Sequence, residues 1–267
     1  MLAGCGGGDT EKVVAPTRRV TESYGPGRRQ YGEWTLPDGV DPAPVVMLLH
    51  GGFWRPDYGP YLERRVALAA AIRGYAVWNV DYRASDVDYP ATFLDAAAAL
   101  DHLPSSRFAD RLDLDRVAAV GHSAGGHLAL WLASRSRLPT GAPGAPRPRS
   151  VAVRRAVGQA PVADLVKAAR EGLGGLAAQL LLDGEPDDVP QRYTAGSPQA
   201  LLPVEGVRLL LVHGDSDVVV PVSQSRAYAA AAGPVADLQV LAGVGHFEHL
   251  DPGSGALDPV WAALSGM

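Results

Sequence analysis

The sequence lacks several features that would assign it to whole classes of protein. Its 267 residues include one cysteine, Cys5, so neither an intrachain disulfide nor a zinc site built from several cysteines can form. No apolar stretch is long enough for a transmembrane helix. With no long basic run and a formal net charge of −5, the chain favours neither nucleic acid nor an anionic membrane surface as its partner.

Enough apolar side chain is present for a large core. Apolar residues make up 47% of the chain, and the mean hydropathy is neutral. This composition is typical of one large α/β domain and argues against disorder in most of the chain. The stretch 138–155 combines arginines with many Pro and Gly residues, and we interpret it as a solvated surface loop rather than a binding patch.

A short motif at the N-terminus bears on where the protein is located in the cell. Leu2-Ala3-Gly4-Cys5, followed by three glycines, resembles the lipobox of bacterial lipoproteins, in which the cysteine is lipidated. The charged and apolar segments that should precede a lipobox are missing from the sequence as written. We therefore expect a cytoplasmic protein as written, and the alternative is an exported lipoprotein anchored through Cys5 if the true start lies upstream.

Strand and helix patterns alternate along the chain. Short apolar runs predict strands at 45–49, 75–80, 116–120, 156–160, 207–212 and 238–241, with an edge strand at 30–36. Helices are predicted at 62–72, 93–103, 124–134, 222–232 and 259–264. This alternation predicts the α/β class, with one mostly parallel sheet and helices on both of its faces.

The domain organisation follows from the same pattern. Residues 1–28 are expected to form a flexible N-terminal segment, and residues 29–267 a single domain. The rhythm breaks at about 161–203, where two short helical stretches lie among Gly, Pro and Asp. We expect this excursion to form a small lid over the site.

Four predicted strands are followed by distinctive loops, and in an open parallel sheet such loops meet at one edge, where ligands bind. The loops are His50-Gly51-Gly52-Phe53-Trp54, Gly121-His122-Ser123-Ala124-Gly125-Gly126, His213-Gly214-Asp215-Ser216-Asp217 and Gly243-Val244-Gly245-His246. The second has the Gly-x-Ser-x-Gly form and lies between a strand and a helix, which is typical of a nucleophilic serine on a sharp turn. A glycine-rich phosphate-binding turn is the alternative, and it leaves the other three loops unexplained.

A serine hydroxyl needs a base, and the base needs an orienting acid. Ser123, Asp217 and His246 follow one another in the order that this kind of fold uses. Asp215 is the rival acid and His249 the rival base. The remaining loop and helix histidines are interpreted as structural, and the pair His246 and His249 has no third partner for a metal site. The structural histidines are His50, His122, His127 and His213.

The intermediate of acyl transfer carries an oxyanion that needs fixed donors. The N–H of Ala124, directly after the nucleophile, is one predicted donor, and Gly52 or Phe53 supplies the other. Trp54 and Phe53 are candidates for an aromatic wall against the substrate, and packing under the lid is the alternative for them.

These loops resemble the α/β-hydrolase superfamily, and more narrowly its kynurenine formamidase and carboxylesterase group. Asp81-Tyr82-Arg83, Tyr89-Pro90 and the His246-Phe247 pair before Asp251-Pro252 carry the narrower resemblance. It implies a small-molecule ester or arylformamide substrate, an acyl-enzyme intermediate, and no metal or organic cofactor. Phe53 stands where hormone-sensitive-type lipases carry a third glycine, which argues against a close match to them.

Two other functions remain open from the sequence. One is an exopeptidase of the prolyl-oligopeptidase type, although the chain has no room for the large propeller that such enzymes carry. The other is a non-catalytic binding protein on the same fold, although all three triad residues are present. The short N-terminal part also leads us to expect that one or two edge strands of the full sheet are missing.

Overall fold

The computed structural model describes residues 19–267, and Cys5 with its glycines lies outside these residues. Within the described range, one sheet of eight strands is flanked by helices. The strands are β1 (Val20–Ser23), β2 (Tyr31–Thr35), β3 (Ala43–Leu49), β4 (Ala76–Val80), β5 (Leu112–His122), β6 (Arg155–Gln159), β7 (Arg208–Gly214) and β8 (Ala236–Leu241). The α-helices are α1 (Arg64–Ile72), α2 (Ala91–Asp101), α3 (Ala124–Ala133), α4 (Leu165–Arg170), α5 (Ala177–Leu182), α6 (Pro190–Gly196), α7 (Ser223–Ala232) and α8 (Asp258–Ser265).

The strands lie in the order β1-β2-β4-β3-β5-β6-β7-β8. The six strands from β3 to β8 run parallel to their neighbours, and β1 and β2 join antiparallel at one side. All five residues of β4 are buried, which explains why four of them are apolar, with Asn79 as the exception. Because the central strands are parallel, the loops that follow them lie along one edge of the sheet, here called the carboxyl edge. The opposite edge is called the amino edge.

The core forms on both faces of the sheet because successive side chains of a strand point to opposite faces. In β3, Val45 and Met47 pack on one face with residues of α2 and α3. Val46 and Leu48 pack on the other face with residues of α1 and α8. This three-layer arrangement confirms the predicted α/β class and fixes the sheet edge on which the site is built.

Most predicted elements are present, with boundaries shifted by a few residues, and three expectations need correction. The expected loss of edge strands is wrong, since β1 and β2 both pair in the sheet. The sheet begins at Val20, inside the segment 1–28 that we expected to be flexible. The excursion at 161–203 holds a third helix, α6, which begins at Pro190.

Two further features of the described residues bear on the type of protein. Among the helices of residues 19–267, none has the length and apolar character needed to span a bilayer. In the same range, no three His, Cys, Asp or Glu side chains are grouped so that they would hold a metal ion.

Candidate active site

The serine turn is the centre of the site. β5 ends at His122 and α3 begins at Ala124, so Ser123 alone makes the turn, with φ 57° and ψ −118°. A side chain is rarely held in this backbone region, and such strain persists where the surroundings enforce it. Here the Ser123 N–H donates to Gln159 O at 2.8 Å, and the Ser123 carbonyl accepts from the N–H of His127 at 3.0 Å.

The glycines around Ser123 are required by close backbone contacts. A Cβ atom on Gly125 would lie 1.8 Å from the carbonyl oxygen of Leu49 in β3. A Cβ atom on Gly121 would lie 2.1 Å from the carbonyl oxygen of Gly125. The predicted Gly-x-Ser-x-Gly spacing is therefore the condition for α3 to pack this closely on β3 and β5.

Asp217 is held by donors on both of its carboxylate oxygens. Oδ1 accepts the backbone N–H groups of Val219 and Val220, each at 2.8 Å. Oδ2 lies 2.7 Å from Nδ1 of His246. The carboxylate is completely buried. Burial alone would raise the pKa of Asp217, but hydrogen bonds from His213, His246 and the Val220 N–H outweigh it and hold this pKa well below its usual value.

Asp215, the rival acid, lies elsewhere. Its Oδ1 accepts the N–H of Gly243 at 2.7 Å and the hydroxyl of Ser216 at 3.0 Å, and the residue is exposed. It thus ties the loop after β7 to the loop after β8. The structure brings Asp217, and not Asp215, to His246.

His246 is positioned from two sides. Its Nδ1 donates to Asp217, which leaves Nε2 without a proton in the neutral ring and therefore able to accept one. Its backbone carbonyl accepts from Nε2 of His122 at 2.8 Å, and the two rings lie 4.5 Å apart. His122 directly precedes Ser123, so this contact holds the His246 loop against the serine turn. Burial and the neighbouring His246 and His249 keep the pKa of His122 well below its usual value.

His249, the rival base, is buried without a hydrogen-bond partner on either ring nitrogen among the described residues. Burial lowers its pKa to about 4, and the nearby His213 and His246 add to this effect. It has no carboxylate to orient it. It lies on a short 3-10 turn, Glu248–Leu250.

His213 is a residue whose relation to the site the sequence reasoning missed. It lies four positions before Asp217, and its Nε2 is 3.3 Å from Oδ2 of Asp217 and 2.9 Å from the Val220 carbonyl. The hydroxyl of Ser225 donates to its Nδ1 at 2.7 Å, which fixes the tautomer that carries the proton on Nε2. The signal in the sequence was its place at the end of a strand, just before the acidic loop.

The loop after β3 lies beside Ser123. A Cβ atom on Gly51, which was not singled out from the sequence, would be 3.3 Å from Cβ of Ser123. Gly52, Phe53 and Trp54 follow with φ values of 112°, 53° and 54°, three successive residues in the left-handed region. A left-handed conformation is strained for Phe53 and Trp54, and such strain is concentrated at functional loops.

The predicted oxyanion donors lie on two elements that meet at Ser123. Ala124 is the first residue of α3, where backbone N–H groups have no intrahelical acceptor. Gly52 and Phe53 lie on the loop that packs against the serine turn. The arrangement can hold negative charge close to the serine, because unpaired helix N–H groups favour it.

The two candidates for an aromatic wall, Trp54 and Phe53, lie in different surroundings. Trp54 is 1% exposed and packs edge-on against His127, with the ring centroids 5.0 Å apart, so it belongs to the core rather than to an open wall. The Phe53 ring instead lies against Gly174 of the excursion at 161–203. Nη2 of Arg55 donates to the carbonyl of Gly174 at 2.7 Å. The excursion therefore contacts the loop after β3, and its role as a lid stays a prediction.

The parallel sheet with helices on both faces, together with the serine turn between β5 and α3, defines an α/β-hydrolase. Comparison with known families makes this more specific. The BD-FAE family model matches residues 35–231, and the chain belongs to that family.

Known proteins agree with this assignment. Esterase LipQ of Mycobacterium tuberculosis (strain ATCC 25618 / H37Rv) is 30% identical over 237 residues, which are 82% of this chain and 55% of that protein. The chain thus spans about half the length of the curated relatives it matches.

Among solved structures, Esterase B from Lactobacillus rhamnosis has a TM-score of 0.77 at 23% identity, over 96% of this chain and 89% of that one. Est2 of Thermogutta terrifontis has a TM-score of 0.74 at 19% identity, over 93% and 94%. At these identities the structures show the fold alone.

Proposed function

We propose that the protein is a serine esterase that cleaves carboxylic esters through an acyl-enzyme intermediate. The observation that carries this proposal is the buried pair of Asp217 Oδ2 and His246 Nδ1 at 2.7 Å, on a loop held against the strained turn of Ser123. A serine, a histidine and an acid so arranged form the general apparatus for acyl transfer.

In the proposed reaction, Oγ of Ser123 attacks the ester carbonyl carbon while Nε2 of His246 accepts the hydroxyl proton. The N–H groups of Ala124 and of Gly52 or Phe53 hold the oxyanion of the tetrahedral intermediate. The bond to the alcohol then breaks, and His246 gives its proton to the leaving oxygen. Water attacks the acyl group on Ser123 by the same steps and releases the acid.

Asp217 takes part through His246. Its carboxylate keeps the ring in the tautomer that exposes Nε2, and it stabilises the imidazolium formed during attack. Because the pKa of Asp217 lies well below its usual value, the carboxylate stays charged at neutral pH.

The proposed substrate class is an ester with a short acyl chain. Est2 was solved with butyrate bound, and Esterase B with a tributyrin phosphonate, and both share this fold. Phe247 supports an apolar group on the substrate, because it lies edge-on to His246 at 5.1 Å between ring centroids and is 65% exposed. LipQ and LipC are both named esterases, which favours esters over the arylformamides that the sequence resemblance also implied.

The experiment is a comparison of p-nitrophenyl butyrate with N-formylkynurenine, with wild type and Ser123→Ala measured in parallel. We expect the ester to be the better substrate and Ser123→Ala to lower kcat by about 10⁴-fold or more with an unchanged melting temperature. Comparable turnover by Ser123→Ala would refute the proposed nucleophile. A Ser123-dependent preference for the formamide would keep the mechanism and replace the substrate.

A further inference from the structure

Two adjoining cavities lie at the amino edge of the sheet, away from the candidate active site. Their volumes are about 540 and 320 Å³, and Arg155, Arg208 and Asp237 line both. The larger one is also lined by Arg116, Arg154 and Asp115. Arg155 begins β6 and Gln159 ends it, so these cavities lie about 13 Å from the backbone that holds Ser123.

The sheet register forces two of these arginines together. Arg155 of β6 and Arg208 of β7 are directly paired across the parallel strands, which places their backbones about 4.8 Å apart. Like charges opposite one another in a sheet are destabilising. Burial lowers the pKa of Arg155, and the positive charge of Arg208 lowers it further.

Asp237 lines the same cavities and partly offsets the charge of Arg155, but no close ion pair holds these arginines within the described residues. Across residues 19–267, neither Arg154, Arg155 nor Arg208 forms a salt bridge, whereas Arg116 pairs with Asp113 at 2.6 Å. Nε of Arg155 is buried without a hydrogen-bond partner. Its Nη2 reaches only the Gly266 carbonyl, at 3.5 Å. A buried donor left in this state carries a desolvation cost that an anion would remove.

We propose that this arginine cleft, defined by Arg154, Arg155 and Arg208, binds a phosphate-type dianion. Guanidinium groups present several N–H donors in a plane and match phosphate oxygens in pairs. Because Arg116 is already paired with Asp113, the three remaining arginines and the two aspartates that line the larger cavity leave a net charge of +1, which favours an anion. A volume of about 540 Å³ leaves room for an organic group attached to the phosphate.

The phosphate can be free in solution or belong to a lipid headgroup, and the two sources are distinguishable. Binding of inorganic phosphate to the full chain is measured by calorimetric titration against sodium chloride of equal ionic strength. Flotation with phosphatidylcholine vesicles, with and without phosphatidate, tests the lipid source.

The matched variants are the double substitution Arg155→Gln with Arg208→Gln, and the control Arg226→Gln, an exposed arginine on α7. We expect saturable phosphate binding by wild type and by the control, and binding weaker by about tenfold or more in the double variant. Ester turnover should be unchanged in all three, because the cleft lies at the other edge. Flotation that needs phosphatidate and both arginines, without binding of free phosphate, would assign the same site to lipid headgroups.

Two results would overturn the proposal. One is phosphate heat or vesicle binding that the double variant retains in full. The other is an effect that chloride reproduces at equal ionic strength, since this would mean charge screening rather than a site. A melting curve of the double variant keeps these results interpretable, because removing the facing charges should leave the fold intact or stabilise it.

Discussion

The two edges of the parallel sheet are formed by opposite ends of the same strands, but their charged side chains are stabilised to very different degrees. At the carboxyl edge, the carboxylate of Asp217 is completely buried and is surrounded by backbone N–H groups and two histidines. At the amino edge, Arg155 faces Arg208, and its Nε has no partner among the described residues. The carboxylate of Asp217 is held by donors of the protein itself and is therefore preorganised for chemistry. The guanidinium of Arg155 lacks such partners and is therefore suited to binding a ligand.

The largest test of this contrast replaces one acid at each edge. Asp217→Asn removes the charge that orients His246, and we expect kcat/KM for p-nitrophenyl butyrate to fall by about 10⁴-fold. Asp237→Asn, at the amino edge, should leave kcat/KM unchanged. Steady-state kinetics with both purified variants measures the difference.

Asp215→Asn is the local control, because Asp215 is close in sequence but bonds to Gly243 and Ser216 instead. Its kcat/KM should stay within about tenfold of wild type, through loosening of the loop alone. If Asp215→Asn were as damaging as Asp217→Asn, the acid would have to be reassigned.

Much of the carboxyl edge was predictable because its signals are local. Buried strands of a parallel sheet appear as apolar runs, and a loop directly after such a strand must lie at the carboxyl edge. That is why Ser123, Asp217 and His246 could be named together before any coordinates. Asp215 follows its strand so closely that it is placed to structure the turn, and it does so by bonding to Gly243 and Ser216.

Other features depend on contacts between distant segments and left little local signal. β1 is a four-residue edge strand, and part of its support comes from the Trp34 indole, which donates to Glu22 at 2.8 Å. The burial of Trp54 depends on the position of His127 in another element. The start of α6 at Pro190 was predictable, because Pro is common at the first position of a helix. The glycines and acids around it obscured the helical pattern.

The glycines offer a second test, on stability. Gly125→Ala would drive a methyl group into the Leu49 carbonyl, and we expect it to lower the free energy of unfolding by about 3 kcal/mol or more. At the amino edge, Gly206 has open space around it and a φ of 71°, so Gly206→Ala should cost only about 1 kcal/mol of backbone strain. Urea denaturation of both variants gives the two values. Equal losses in the free energy of unfolding would mean that the contact between Gly125 and Leu49 does not limit the size of the side chain at this position.

Glu63 is the exception to the well-satisfied charges near the carboxyl edge. It follows the oxyanion loop, is 1% exposed, and its Oε1 has no partner in the described part of the chain. Burial raises its pKa to about 8. The folded chain therefore keeps a proton that the unfolded chain releases above its ordinary pKa of 4.5, so this group makes stability fall as the pH rises from about 4.5 to about 8.

Glu63→Gln should remove this loss. We expect the variant to be more stable than wild type by about 4 kcal/mol at pH 8, with the gain vanishing near pH 4, where Glu63 is neutral in both states. Thermal denaturation across this pH range measures it. Glu33→Gln is the matched control, because Glu33 accepts two hydrogen bonds from Arg64, and this variant should lose stability instead. A gain that does not depend on pH would mean that burial does not raise the pKa of Glu63 in the folded protein.

Substitution of His213 tests whether the hydrogen-bond donors around Asp217 are redundant, and its expected effect on kcat is small. His213 shares its Nε2 proton between the Val220 carbonyl at 2.9 Å and Asp217 at 3.3 Å, so its bond to the carboxylate is the weakest of the set. Three shorter bonds remain if it is lost. We expect His213→Leu to lower kcat by about tenfold with KM unchanged, which corresponds to the loss of one ordinary hydrogen bond.

His213→Gln separates orientation of the acid from packing, because the amide retains a donor in the same buried space. Turnover should recover in this variant if His213 acts on Asp217, and it should not if the imidazole only fills volume between Val220 and Ser225. A matched fall in kcat and melting temperature in both variants would favour the packing role. In that case, only the backbone N–H groups and His246 would stabilise the charge of Asp217 at the carboxyl edge.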